Sequence, residues 1–255
     1  MKAYKGYLID LDGTMYRGKE EISEAVTFVN QLVEKKIPYL FVTNNSSRTP
    51  EQVSDKLVSM GIPSTPDHVF TTSMATANYV SEKKPGATVF TIGEEGIKQA
   101  LKEKGMKPGD ETADVVVVGI DRAISYEKLS TACLAVRNGA TFISTNGDVA
   151  IPTERGLLPG NGSLTSVVTV STGVKPTFIG KPESIIVNQA LDVLGTAKEE
   201  TVMVGDNYHT DILAGIHAGL DTIIVHTGVT SKEQLTDYDE QPTHSIGGLD
   251  EWRFE

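Results

Sequence analysis

Four short segments hold residue types that can do chemistry. Asp10-Leu11-Asp12-Gly13-Thr14 sets two carboxylates two residues apart. Thr43-Asn44-Asn45-Ser46-Ser47 is a run of hydroxyls and amides. Gly180-Lys181-Pro182 offers one cation, and Gly205-Asp206-Asn207 is followed by Asp211, five residues past Asp206. Each segment follows an apolar, β-branched run that reads as a strand. In open parallel sheets, ligands bind outside the carboxyl ends of the strands. Polar groups from four well-separated stretches of chain would therefore converge on one edge.

That convergence makes an electrostatic demand. Asp10, Asp12, Asp206 and Asp211 would crowd together with Lys181 as the only cation among these groups. Close carboxylates raise one another's pKa unless a counter-charge is supplied. A hard divalent cation with oxygen ligands supplies it. Mg²⁺ suits a site of one or two carboxylates, some water and a substrate phosphate. One cysteine, and histidines at positions 68, 209, 217, 226 and 244 without ligand spacing, leave little for a softer metal. Lys181 directly precedes Pro182 and a helical stretch, where a cation opposes the helix dipole. The placement makes sense if an anion sits there between the lysine, backbone N–H groups and metal.

Each piece also has a purely structural reading. Asp-x-Asp-Gly after a strand could be an Asx turn, and Thr43-Asn44-Asn45 plain turn chemistry. Asp211 could cap its helix, and Asp206 could simply end its strand. The pieces weigh more together than singly, because they occur in order at four strand ends.

The elements that must position them alternate along the whole chain. Strands are expected at 6–12, 39–44, 69–72, 89–93, 115–121, 142–146, 177–180, 201–206 and 222–227. Helical patterns lie between them at 22–35, 51–60, 97–104, 126–138, 185–194 and 211–218. Such alternation reads as α/β with a mostly parallel sheet, and runs such as VVVVG point to strands covered on both faces. Thr49-Pro50-Glu51-Gln52 has an N-cap, a proline at the first helical position and a glutamine closing a capping box. Polar turns at Lys83-Lys84-Pro85-Gly86 and Thr172-Gly173-Val174-Lys175-Pro176 could bound an insert of about a third of the chain. Gly160-Asn161-Gly162 looks like a phosphate cradle but lacks a Gly-Lys-Ser/Thr ending, and reads as a helix-start turn.

Composition narrows the classes. With 39% hydrophobic and 22% charged residues among 255, a packed core is expected rather than disorder. A net charge of −11 argues against a nucleic-acid surface. It also repels anions, so a phosphate site must carry its own local positive charge. No signal-peptide pattern precedes the first strand, no apolar run reaches the roughly 20 residues needed to cross a bilayer, and the MKAY opening lacks a myristoylation glycine. The single cysteine, Cys133, excludes an internal disulfide and is expected to be a small buried hydrophobe. A cytoplasmic location is expected, with the Asn-x-Ser tripeptides at Asn44, Asn45 and Asn161 unglycosylated.

DLDGT at Asp10–Thr14, TNN at Thr43–Asn45, GKP at Gly180–Pro182 and GDNYHTD at Gly205–Asp211 resemble the four motifs of the haloacid dehalogenase (HAD) superfamily. Order and spacing match over the whole chain, with no departure at a motif position. The gap of roughly 100 residues between the second and third motifs resembles the large α/β cap (type C2) of the NagD-like subgroup. FISTNGD at 142–148 and LLPGNGSLTSVV at 157–168 look like parts of that cap. The nearest resemblance is to the acid sugar phosphatases of Gram-positive bacteria.

The resemblance implies a Rossmann-like core with a parallel sheet, formed by 1–80 and 177–255, and an α/β cap at 81–176. It implies a Mg²⁺-dependent phosphatase for small phosphate monoesters: sugar phosphates, acid sugar phosphates or nucleotides. Asp10 would be the nucleophile and form an aspartyl-phosphate; Asp12 would be the general acid and base. The metal would be held by the Asp10 carboxylate, the Asp12 backbone carbonyl and Asp206, with Asp211 acting through water. Thr43, Asn44 and Lys181 would bind phosphoryl oxygens, with Asn45 and Asn207 supporting the loops. It further implies a homodimer through the cap. Neither nucleic acid nor membrane is expected as a partner. Asp12 favours phosphoryl transfer over dehalogenation, which needs no second carboxyl acid. A phosphomutase on the same core, a phospho-aspartate receiver without turnover, and a scaffold with a dead site are the alternatives. A receiver needs neither Asp12 nor a cap.

Overall fold

The computed structural model describes residues 2–254. The chain divides into two compact units. The first is built from the chain up to Thr43, Pro50–Phe70, and the chain from Lys181 onward; the second from Asn44–Thr49 and Thr71–Gly180.

The first unit holds a six-stranded sheet in the order His244–Ile246, Asp221–Val225, Thr201–Gly205, Gly6–Ile9, Tyr39–Thr43, Val69–Thr71. Its recorded ladders run parallel. GYLI, YLFVT and TVMVG are buried along their whole length, as strands covered on both faces must be. The helix Ser23–Lys35 buries Ala25, Phe28, Val29 and Leu32 at helical spacing. These meet Tyr7, Ile9, Phe41 and Val204 in one core. Gly6–Ile9 lies between Tyr39–Thr43, the next strand of this sheet in sequence, and Thr201–Gly205. The chain thus leaves it toward both edges, the arrangement that opens a crevice at the strand ends. Register aligns those ends: Ile9 pairs with Phe41 on one side and Val204 on the other.

The second unit holds a five-stranded parallel sheet in the order Thr177–Phe178, Thr141–Ser144, Val115–Val118, Thr88–Ile92, Lys107–Pro108. The helices Tyr126–Arg137 and Asn161–Thr172 bury Ala132, Ala135, Val136 and Val168 against Val116, Val118 and Phe142. Cys133 is partly buried and packs against this core. Gly160 is the N-cap of the helix at Asn161, so the glycine-rich turn does start a helix.

The differences from expectation have local causes. The strand expected to run to residue 12 ends at Ile9, because the Leu11 carbonyl accepts the Thr14 and Met15 N–H groups and turns the chain. A helix at Thr72–Lys83 was not anticipated; its buried face is Thr72, Ser73, Ala75, Thr76, Ala77 and Val80, too polar to show a period. That helix packs on Glu95–Glu103. The units accordingly part after Phe70 and Gly180, where the sequence suggested 80 and 176, and Asn44–Thr49 joins the second unit. The antiparallel pair Ala150–Thr153 and Gly156–Pro159 was also unforeseen. Among the described residues no helix is long and apolar enough to cross a membrane.

Candidate active site

Asp10 follows the last residue of its strand and continues the ladder, its N–H donating to the Val204 carbonyl at 2.9 Å. Its side chain is buried. Lys181 Nζ donates to Asp10 Oδ1 at 2.5 Å, to Asp211 Oδ1 at 2.7 Å and to the Val42 carbonyl at 2.9 Å. Those three bonds use all three ammonium protons, which is how a lysine only 2% exposed is accommodated. Sequence placed this cation correctly at the carboxylates and read its helix-terminal position as anion binding. Here the anions it meets are the aspartates themselves.

Asp206 follows the strand Thr201–Gly205 and is 1% exposed. Its Oδ2 accepts the Val229 N–H at 2.7 Å and its Oδ1 the Thr14 hydroxyl at 3.3 Å. The same hydroxyl lies 3.5 Å from Asp10 Oδ2, so Thr14 bridges the two carboxylates. Two glycines make this packing possible. A Cβ on Gly13, at φ +90°, would come 2.3 Å from Asp206 Oδ2, and one on Gly228 would come 1.9 Å from it. Asp211 sits in a single π turn, Tyr208–Ile212, that leads into the helix Leu213–Ala218. Its Oδ2 accepts the Asn207 N–H at 3.1 Å, and Asn207 caps the turn by accepting from the His209 N–H. Asp211 is therefore inside the turn rather than its cap.

The electrostatics follow from burial. Oxygens of Asp10, Asp206 and Asp211 all lie within 4.8 Å of one another. Burial and Asp211 push the Asp10 carboxyl well above the usual carboxylate range, against the pull of Lys181. Burial and Asp211 likewise push Asp206 up to about 6. Burial alone would lower Lys181, but Asp10 and Asp211 outweigh it and hold the ammonium above its ordinary value. Three carboxylates thus lie together, and two of them, Asp10 and Asp211, share one ammonium. An all-oxygen, buried set with surplus negative charge fits a hard divalent cation.

The Asp12 carboxylate lies outside that group. Its side chain is exposed, and its Oδ2 accepts the Tyr16 hydroxyl at 3.3 Å. The crowding that sequence suggested therefore joins three of the four aspartates. Thr43 is buried at the end of its strand in the first unit. Asn44 and Asn45 belong to the second unit. There Asn44 Nδ2 donates to the Asp148 carboxylate at 3.3 and 3.4 Å, and the Asn44 carbonyl accepts Asn146 Nδ2 at 2.8 Å. Asn45 Oδ1 accepts the Ser47 and Arg48 N–H groups at 3.0 Å, the turn chemistry that sequence weighed for it. Sequence missed Thr14, Tyr16 and Val229. Thr14 stood in plain sight in DLDGT, whereas Val229 acts through its backbone and leaves no side-chain signal.

Residues 7–107 match a haloacid dehalogenase-like hydrolase family, and residues 178–252 a HAD-hydrolase-like family. A Bacillus subtilis protein named 5'-nucleotidase YutF is 68% identical over 252 residues, covering 99% of this chain and 98% of its own. The chain belongs to the haloacid dehalogenase-like hydrolases. A Staphylococcus aureus protein named acid sugar phosphatase is 56% identical over 252 residues, covering 98% of this chain and 97% of its own. The crystal structure of a double-mutant thermostable NPPase from Geobacillus stearothermophilus superposes with a TM-score of 0.96 at 63% identity, covering all of both chains. This HAD-like chain is a phosphoric monoester hydrolase.

Proposed function

We propose that this HAD-like chain is a Mg²⁺-dependent phosphatase for small phosphate monoesters, working through an aspartyl-phosphate on Asp10. Sugar phosphates, acid sugar phosphates and nucleotides are the substrate classes, in line with relatives named acid sugar phosphatase and 5'-nucleotidase. The observation that carries the reading is the buried group of Asp10, Asp206 and Asp211, two of which, Asp10 and Asp211, are paired with Lys181. We read the first unit as the catalytic core and the second as the cap.

Lys181 holds Asp10 Oδ1, so Oδ2, beside the Thr14 hydroxyl, is the oxygen presented for attack. Oδ2 forms a bond to phosphorus while the bond from phosphorus to the leaving oxygen breaks. Asp12 gives its proton to that oxygen. It then takes a proton from the water that attacks phosphorus, and the bond to Asp10 breaks to release phosphate. The Tyr16 hydroxyl orients the Asp12 carboxylate between these transfers. Asp10, the Asp12 backbone carbonyl, Asp206 and, through water, Asp211 would hold Mg²⁺. When bound, the ion neutralises charge on the phosphoryl oxygens and aligns them. Thr43, Asn44 and Lys181 are the proposed phosphoryl contacts, Lys181 and Asn44 by exchanging a bond they now make to Asp10, Asp211 or the Val42 carbonyl, and to Asp148, for one to a phosphoryl oxygen.

Phosphate release from a panel of small esters, with Mg²⁺ and with EDTA, tests the reading. Metal-dependent release from a subset is expected, and its loss in Asp10→Asn with the fold intact. Full activity in Asp10→Asn would sink the mechanism. We also propose a homodimer through the second unit, where Val167, Val170 and Leu134 are exposed on its helices; light scattering measures it directly. A single cysteine suits a reducing cytoplasm.

A further inference from the structure

We infer that the loop 226–230 positions Asp206 for metal binding, with Thr230 and His226 as its positioning residues. The inference rests on Asp206 holding Mg²⁺, as proposed above. The loop follows the strand Asp221–Val225 and reaches both carboxylate-bearing segments of the core. Toward one, the Val229 N–H fixes Asp206 Oδ2 at 2.7 Å, and the Thr230 N–H donates to the Asp206 carbonyl at 3.1 Å. The Thr230 hydroxyl oxygen accepts the Tyr208 N–H at 2.9 Å, at the start of the π turn that carries Asp211. Toward the other, the Thr227 hydroxyl donates to the Gly13 carbonyl at 2.7 Å, and Arg17 Nε donates to the Thr227 carbonyl at 2.6 Å. One five-residue loop therefore sets the rotation of the Asp206 carboxylate and ties it to the turn after Asp10.

His226 keeps the loop in this shape. Its Nδ1 lies 2.9 Å from the Thr230 carbonyl. A carbonyl only accepts, so Nδ1 carries the proton. Its Nε2 lies 2.9 Å from Ser245 Oγ on the edge strand His244–Ile246, and its backbone N–H donates to the Ile246 carbonyl at 3.2 Å. The imidazole closes the loop on itself and anchors it to the sheet. Ligands of a metal depend on such partners for orientation, and losing one costs roughly 10- to 100-fold in metal affinity.

The test is Mg²⁺ titration calorimetry on the full chain, paired with p-nitrophenyl phosphate kinetics. Thr230→Val keeps the shape and backbone but orphans the Tyr208 N–H; Thr230→Ser restores the acceptor. His226→Leu removes the Nδ1 proton; His226→Asn places an amide donor at the same point. The Val and Leu variants are expected to bind Mg²⁺ about tenfold more weakly. Their kcat at saturating Mg²⁺ and their KM for the ester should stay within about twofold of the wild type, and the Ser and Asn variants should recover the affinity. Should Thr230→Val fail to fold, the partly exposed His226 carries the test. A folded Val or Leu variant with wild-type Mg²⁺ affinity overturns the inference. A wild-type chain that binds no Mg²⁺ overturns instead the metal reading on which it stands.

Discussion

Two of the buried polar clusters among the described residues are satisfied by different means. In the first unit, three aspartates lie together and two of them, Asp10 and Asp211, share Lys181, the third, Asp206, being held by the Val229 N–H and the Thr14 hydroxyl. In the second, Asn161 Nδ2 lies 2.8 Å from the Asn146 carbonyl and 2.9 Å from Ser144 Oγ, with Thr145 Oγ1 at 3.2 Å and the Val118 carbonyl at 3.3 Å. That cluster is neutral and is held by hydrogen bonds alone. A neutral network needs only partners with good geometry. A charged one needs partners plus a source of opposite charge, and this is where a ligand can be recruited. The difference teaches why chemistry belongs to the first cluster and rigidity to the second.

The largest break in the comparison is Lys181→Met. It leaves Asp10 and Asp211 buried without their ammonium, and removing one partner of a buried pair costs about 3–5 kcal/mol. Urea unfolding of the metal-free variant should show a loss of that size, and phosphate release should vanish. A variant as stable as the wild type would mean the aspartates already share protons rather than charge. A second break is Gly228→Ala. Its Cβ would overlap Asp206 Oδ2, so either the carboxylate or the loop must move. Overpacking of this kind costs about 1–3 kcal/mol, and Mg²⁺ affinity should fall with it. An unchanged affinity would show that the loop yields and the carboxylate does not.

Much of the charged cluster was readable in the sequence, because a strand followed by Asp, Lys or Asn states both the position and the chemistry. Asp10, Lys181, Asp206 and Asp211 meet as that reading required. Asp12 was harder, since the strand ends at Ile9 and the turn closed on the Leu11 carbonyl carries Asp12 away from Asp10, so that its carboxylate ends exposed beside Tyr16. The neutral cluster was nearly silent. Asn161 read as part of a glycine turn, and Asn146 only as a likeness to a cap. Their roles depend on carbonyls of Val118 and Asn44, and a backbone acceptor leaves no residue type to recognise. The parallel strands were legible to within a few residues, apart from the short Lys107–Pro108 and His244–Ile246, which the sequence reading did not expect. Thr72–Lys83 escaped because its buried face mixes small polar side chains with two alanines and a single valine.

A third test separates the clusters by pH. Asp206 is raised to about 6 in the folded chain, above the ordinary carboxylate value of about 4. The folded state then binds more protons than the unfolded state between those values, so stability falls as pH rises through the window. Two units correspond to about 3 kcal/mol. Metal-free wild type should lose about that much more than Asp206→Asn between pH 4 and pH 6.5. Mg²⁺ should remove the difference by favouring the ionised form. An equal pH dependence in both proteins would place the shift elsewhere in the cluster.

The smallest effect is expected in the neutral cluster, and two substitutions at one position make it diagnostic. Asn161→Ala deletes an amide donor, but the Asn146 carbonyl keeps the Ser144 hydroxyl and Ser144 Oγ keeps Thr165, so the cost falls at about 1 kcal/mol. It also deletes Asn161 Oδ1, a buried acceptor without a partner, which offsets part of that loss. Asn161→Asp keeps the shape but turns an acceptor toward the carbonyls of Val118 and Asn146. Ionised, it adds a buried charge with no cation beside it, so it should unfold more easily than Asn161→Ala near neutral pH. Protonated, its O–H can donate where Nδ2 did, so the deficit should shrink as pH falls. Unfolding both variants in urea at two pH values measures this. If Asp and Ala cost the same at neutral pH, charge is not what distinguishes the clusters, and the recruitment of a cation to the first needs another cause.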